Sequence, residues 1–358
     1  MARSLRFSKT KNIAPVQRDR FARGTRMFAA LAVTALAACG GDGGGVVGPS
    51  STGGAAAPGG MGASPSSSPN PFAGRTLYVN PNSNARKTAN EWRATRPADA
   101  DQMEKIAARS NARWFNEWAG DVYAAVTGAM TAAESQGALP VLVAYNIPDR
   151  DCGGLSGGGG ATPDGYRTWI TAFANAIAGR KAAVILEPDA LANMSCLSPS
   201  AQQTRLDLIK YAIQALKGKG AAVYVDAGHP AWHSASEMAR RLNLADVGSA
   251  DGFALNVSNF IATATNTSYG EQVSALVGGK HFVIDTGRNG LGATADLQWC
   301  NPPGRALGQA PTAVTANALI DAYLWIKPPG ESDGACNGAP SAGKWWPEYA
   351  LELAKSSP

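Results

Sequence analysis

Residues 140–160 read PVLVAYNIPDRDCGGLSGGGG, and the fold is decided in this stretch. The run Val141-Leu142-Val143-Ala144 is apolar at every position and too short for a helix, so it reads as a strand buried on both faces. Tyr145, Asp149, Arg150 and Asp151 follow where that strand opens into a loop. The glycines from Gly153 onward let the backbone turn sharply and approach a ligand closely. Residues 183–189, AVILEPD, repeat the grammar: four buried apolar residues, then Glu187 and Asp189. Two buried strands that each deliver carboxylates at their ends are how a parallel α/β barrel builds a site.

Outward from these strands the pattern keeps alternating. Strands are expected at 77–79, 112–115, 141–145, 183–186, 221–225, 252–255, 281–284 and 323–326. Helices are expected at 101–109, 121–135, 166–178, 201–216, 234–242, 271–277, 315–322 and 347–355. The 201–216 helix is the clearest, with Leu206, Ile209, Ile213 and Leu216 at helical spacing. Such strand–helix alternation predicts one α/β domain with a parallel sheet, and the residues from 74 to 358 suffice for one barrel.

The N-terminal part reads differently. Residues 3–26 carry eight Lys/Arg and one Asp, and a short apolar run, MFAALAVTALAA, follows at 27–38. That run is too short to span a bilayer, and a basic flank before a short apolar core reads as an export signal. It ends in Leu36-Ala37-Ala38-Cys39-Gly40, which resembles a bacterial lipobox, so residues 1–39 are expected to be a signal peptide and Cys39 the lipidated residue. Ordinary cleavage after Ala35-Leu36-Ala37 is the alternative. Residues 40–73, rich in Gly, Ser, Pro and Ala, read as a flexible tether, with no carbohydrate-binding module expected beside it. The basic segment holds a net +7 and the whole chain +5, so the remainder is near −2. The basic pI therefore gives no warrant for a nucleic-acid partner.

Five cysteines are present. Without Cys39 an even set remains, Cys152, Cys196, Cys300 and Cys336, which in an exported chain favours two disulfides. Zinc is the rival reading, but no two lie at CxxC spacing and histidines number three, so no metal and no cofactor are expected.

Polar groups close each expected strand: Asn80; Trp114 and Asn116; Tyr145 and Asp151; Glu187 and Asp189; Asp226, His229 and Trp232; Asn256 and Asn259; Asp285 and Arg288; Lys327, Glu331 and Asp333. Carboxylates interleaved with tryptophans suggest a sugar, because flat aromatic faces stack on pyranose rings while charged groups and amides bind hydroxyls. Some of these carboxylates are expected to make structural ion pairs instead, Asp149 with Arg150 for example. A GxSxG match at 154–158 formally suggests a serine esterase, but Ser156 stands about ten residues past its strand rather than on a tight turn after it. The glycine run lacks the GK[ST] of a phosphate loop.

These residues bring a family into view. VAYNIPDRDCGGLSGG and VILEPDALA resemble the two signature stretches of glycoside hydrolase family 6, inverting cellulases that cleave β-1,4-glucan. YVNPNSNA, DAGHPAWHS, ALNVSNF, FVIDTGRNG, WCNPPGRALG and LWIKPPGESDGAC extend the resemblance across 76–355. It implies a distorted parallel (β/α) barrel of about seven strands, open at one seam. It implies Asp189 as general acid, Asp151 as the carboxylate that holds the acid's proton and organises water, and Asp333 as the candidate base, acting directly or through waters. Tyr145 matches the residue favouring ring distortion, and Ser156 or a nearby loop group would position water. Trp114, Trp232 and Trp299 match stacking platforms, Arg288, Lys327 and Glu331 match sugar contacts, and Asn256 and Asn259 are assigned to the same work.

By the same match Cys152 pairs with Cys196 and Cys300 with Cys336. The segments so enclosed, 153–195 and 301–335, are short for the family, which implies an open cleft and internal chain cleavage. A cellobiohydrolase releasing cellobiose is the alternative activity, and a non-catalytic glucan-binding surface protein the alternative class. The expected partner is a β-1,4-glucan chain, met by a monomer attached to a membrane only through its lipid, on the bacterial cell envelope or in the medium.

Overall fold

A computed structural model describes residues 69–357. The expected signal peptide, the lipobox with Cys39 and nearly all of the tether lie outside these residues. Seven parallel strands form one sheet in chain order. They are β1 (Arg113–Phe115), β2 (Val141–Ala144), β3 (Ala183–Leu186), β4 (Ala222–Asp226), β5 (Gly252–Leu255), β6 (His281–Asp285) and β7 (Ile320–Leu324). Helices α3 (Val122–Glu134), α4 (Pro163–Ile177), α5 (Pro199–Lys217), α6 (Ala235–Leu244) and α7 (Thr263–Leu276) connect them up to β6. Helices α1 (Asn84–Trp92) and α2 (Pro97–Ala107) precede the sheet and pack with α8 (Pro347–Lys355), which closes the chain. The sheet curls until its two edges nearly meet. Ala112 N–H donates to the Trp325 carbonyl at 3.0 Å, and the Trp114 indole donates to the Ile326 carbonyl at 2.8 Å. No ladder joins β1 to β7, so the barrel is open at that seam.

The middles of the strands are largely apolar because both faces are covered, successive side chains pointing alternately into the barrel and toward the helices. Val141, Val143, Ala183, Ile185, Tyr224, Ala254, Val283, Ala322 and Leu324 fill the barrel. Leu142, Ala144, Val184, Leu186, Val223, Val225, Phe253, Leu255, Phe282 and Ile284 face the helices. β5 and β6 pack so closely that a Cβ on Gly252 would stand 2.0 Å from the His281 carbonyl oxygen.

The structure corrects the expected elements in four places. Residues 315–322 are not a helix: Thr315 Oγ1 donates to the Asn317 and Ile320 carbonyls and Asn317 Oδ1 accepts from Leu319 N–H. These side-chain bonds offer the backbone a turn in place of a helix, and β7 begins at Ile320. Leu77 makes a single parallel bridge to Leu139 rather than a strand. Helix α1, unforeseen, is capped by Ser83 and buries only the small residues Ala85, Thr88 and Ala89, so its buried face holds no large apolar side chain to mark it in the sequence. The tether also ends earlier than 73. Phe72 is buried with its ring 5.8 Å from Tyr224 inside the barrel, and Asn70 Nδ2 donates to the Asp321 carbonyl.

Candidate active site

Parallel strands gather the residues that follow them at one rim. Here those residues sit on a backbone that few L-amino acids adopt. Asp149, Asp151, Cys152, Glu187, Asp189, Asn256 and Ser258 all have φ between 49° and 68°. Such conformations cost of order 1–3 kcal/mol each and persist only where surrounding bonds over-determine them.

Buried carboxylates supply much of that bonding. Glu187 Oε2 accepts from Asn146 N–H at 2.9 Å and Ile147 N–H at 3.0 Å, tying the ends of β2 and β3 together, and burial pushes its pKa up to about 7. Asp285, at the end of β6, accepts from the amides of Gly287, Ser258, Ile326 and Lys327. Asp226, the last residue of β4, accepts through Oδ2 from Asp189 N–H at 2.9 Å and Gly228 N–H at 3.1 Å, while its Oδ1 is buried without a partner.

Asp189 opens onto the cleft. Enclosure holds its carboxyl well above the usual carboxylate range, and the charges of Asp226, Asp151 and Asp333 push it further. Those Coulombic couplings bring three expected carboxylates, and Asp226 with them, into one neighbourhood. Asp151 sits on a tight turn where its Oδ2 accepts from Ser156 N–H at 2.8 Å. The turn folds back because Gly159, at φ 97°, lies where a Cβ would be 1.9 Å from the Ile147 carbonyl oxygen. Asp333 is clamped: Arg288 donates to both of its oxygens at 2.8 and 2.9 Å, and Asn301 N–H donates to one of them at 3.0 Å. Both oxygens are thus engaged in charge-assisted bonds.

A cleft of about 1470 Å³ runs over these groups. Of the expected residues, Trp114, Tyr145, Asp151, Ser156, Asp189 and Trp232 line it, as do Asn259, Trp299, Lys327, Glu331 and Asp333. Tyr145 packs edge-on to Trp114 at 5.0 Å, and burial pushes the pKa of its phenol up. Trp232 and Trp299 keep 37% and 49% of their surface exposed. Lys327 Nζ donates to the Ser332 carbonyl and lies 4.0 Å from Glu331.

Two expected sugar contacts do not reach the cleft. Asn256 is buried and spends its amide on the Asp285 carbonyl and on Ile261 N–H. Arg288 is 1% exposed and spends its fork on Asp333 and the Ser258 carbonyl. Both hold the rim in shape from behind. Arg150 pairs with Glu117, at 2.7 Å, and not with Asp149. His229 and Trp118 line the same cleft and Asp226 is buried behind Asp189, none of them an expected site residue. For Asp226 the available signal was its place as the last residue of a buried strand.

Both disulfides are present, Cys152–Cys196 and Cys300–Cys336, one on the Asp151 loop and one on the Asp333 loop. Leu155 of the first loop lies against Gly334 of the second. Among the described residues no three His, Cys, Asp or Glu side chains form a group able to hold a metal ion, and no helix is long and apolar enough to cross a membrane.

The buried state of Asp226 has a measurable consequence. Its pKa rises from near 4 in the unfolded chain to about 7, chiefly through burial. Between those values the folded protein binds more protons than the unfolded one. The contribution to stability is therefore full below about pH 4 and lost as pH rises through about 7. The Tm of the wild type is expected to fall relative to that of Asp226→Asn between pH 4 and 8, and parallel melting curves would refute it. The subtraction removes the opposing slope of His229, whose pKa burial lowers to about 4.

Comparison with known proteins agrees with this geometry. The sequence profile described as "Glycosyl hydrolases family 6" matches residues 72–357. Endoglucanase A of Cellulomonas fimi is 46% identical over 294 residues, covering 81% of this chain, and the chain spans 62% of that relative's length. Endoglucanase 1 of Streptomyces halstedii is 41% identical over 84% of this chain and 93% of its own. The solved structure of the endoglucanase Cel6 from Mycobacterium tuberculosis, in complex with methyl-cellobiosyl-4-deoxy-4-thio-β-D-cellobioside, superposes with a TM-score of 0.77 at 47% identity, covering 80% of this chain and 99% of that one. With the profile spanning nearly all of the described fold and such relatives beside it, the chain belongs to glycosyl hydrolases family 6.

Proposed function

We propose that the protein hydrolyses internal β-1,4-glucosidic bonds of cellulose and related β-glucans with inversion at the anomeric carbon. The observation that carries this reading is Asp189 on an aromatic-lined cleft, its carboxyl pushed up in pKa by burial and by the charges of Asp226, Asp151 and Asp333. A carboxyl kept neutral by enclosure and like charges is suited to give its proton to the leaving glycosidic oxygen. Water then attacks from the opposite face of the ring, which requires a carboxyl separation of about 6.5–9.5 Å in such enzymes. Asp151 and Ser156 orient that water. The Arg288 clamp on Asp333 favours a base acting through a chain of waters over direct abstraction. Trp114, Trp232 and Trp299 offer flat faces to the sugars, with Asn259, Lys327 and Glu331 binding hydroxyls. Tyr145, a neutral phenol beside Asp189, crowds the sugar at the bond to be cut.

The contact of Leu155 with Gly334 favours the second reading, an exo-acting enzyme whose loops roof the chain. That roof is one side chain, itself about half exposed, and the endo reading stands on the names of the relatives and on the short enclosed segments. Viscometry separates the two. The expected result on carboxymethylcellulose is a rapid fall in viscosity for few reducing ends released. Cellobiose release with viscosity barely changed would overturn the endo reading.

Two disulfides in the domain fit an oxidising, extracytoplasmic compartment. The proposed anchor is a lipid on Cys39, with the monomeric domain meeting its glucan at the end of the tether. Mass spectrometry of the exported protein is expected to find acyl chains on Cys39, and an unmodified thiol there would remove the anchor.

A further inference from the structure

We infer that Trp118 is a further sugar-stacking platform of the cleft, held in pose by the ion pair of Glu117 with Arg150, and that it serves glucan chains long enough to extend past Tyr145. Trp118 is 68% exposed, more than either Trp232 or Trp299, yet it lies on the cleft wall and not on the outer surface. It stands on a 3₁₀ turn, Glu117–Ala119, directly after β1, and Asn116 Oδ1 accepts from its backbone N–H at 3.0 Å. An indole left this open contributes little to the core, so its place in the fold is not explained by packing.

What stands behind it is rigid. The Arg150 guanidinium lies 5.5 Å from the Trp118 ring and 4.5 Å from the Tyr145 ring, and Tyr145 meets Trp114 edge-on at 5.0 Å. The wall is thus a continuous row: Trp118, Arg150, Tyr145, Trp114. Arg150 is buried and its donors are committed to both oxygens of Glu117 and to the carbonyls of Tyr145 and Ser156. Four of its five N–H donors are thus taken, and its function in the row is to fix the ring beside it. An apolar face, pinned from behind and wet in front, matches the C–H face of a pyranose. Tyr145 adjoins Asp189. Two steps along the row therefore separate Trp118 from Tyr145, so a disaccharide held at Tyr145 falls short of it whereas a longer chain covers it.

This inference rests on the glucanase reading, so the test measures binding apart from turnover. Cellobiose and cellohexaose are titrated by calorimetry into Asp189→Asn and into Asp189→Asn/Trp118→Ala, and wild-type hydrolysis of cellohexaose is measured separately. The expected result is binding of cellohexaose weakened about five- to tenfold by Trp118→Ala, binding of cellobiose unchanged, and most of the loss recovered in Trp118→Phe, which keeps a flat face. Equal affinity of the two proteins for cellohexaose, equal weakening for both sugars, or no binding to either protein would overturn the platform. Absence of hydrolysis by the wild type with the length-dependent binding intact would overturn the glucanase reading and leave the platform standing.

Discussion

Asp189→Asn is expected to lower kcat on a soluble β-1,4-glucan by about 10²- to 10⁴-fold, the range that loss of a positioned general acid produces. The fold should survive. Burial and the charges of Asp226, Asp151 and Asp333 raise the pKa of Asp189 in the fold, so holding its carboxyl there as pH rises costs stability that a neutral amide of the same shape does not incur. The Tm of the variant at pH 7 is therefore expected to equal or exceed that of the wild type. Reducing-sugar assays and thermal melts check both halves. Activity within tenfold of wild type would remove Asp189 from the acid's role, whereas a lower Tm would contradict the account of why its proton is held. Among the carboxylates in the cleft, Asp189 is the one whose proton donation the proposed mechanism requires.

Arg288→Leu is the second large effect. The Arg288 and Asp333 side chains are both almost wholly buried, so removing the cation leaves a carboxylate enclosed without its counter-charge. Breaking such a pair costs about 3–5 kcal/mol. Activity should fall as well, because the Asp333 loop is held to the rim by this clamp and by Asn301. The double variant Arg288→Leu/Asp333→Leu, which replaces both charges by apolar groups, is expected to regain much of the stability and none of the activity. Denaturant melts of the two variants decide the matter. A single variant within 1 kcal/mol of wild type would show that the pair does not organise the rim.

The barrel strands were legible because each is a short apolar run that must be covered on both faces. Residues 183–186 and 252–255 appear in the structure with the bounds expected of them. Elements without such a run were not legible. Helix α1 buries only small residues, and the 315–322 segment, read as helical, is turned by the hydroxyl of Thr315 and the amide of Asn317. At the site, the carboxylates at the ends of strands were visible one by one. Asn256 and Arg288 were visible too and were read as sugar contacts, because polarity at a strand end does not say which way the side chain turns. Arg288 turns away from the cleft because Asp333, 45 positions further along, is brought to it by the curl of β6 and β7. Trp118 was passed over because nothing local distinguishes an indole on a cleft wall from one on an outer surface.

By itself the amino-acid order determined the run of strands and helices, the parallel barrel they make and the residues presented at its rim, since these follow from the local period of apolar side chains and from the chemistry of turns. Only the tertiary structure decided which of those residues share a dielectric cavity. Charge–charge energies depend on separation and enclosure rather than on position along the chain. The proton on Asp189, the clamp on Asp333 and the row from Trp118 to Trp114 therefore exist only once the sheet has curled.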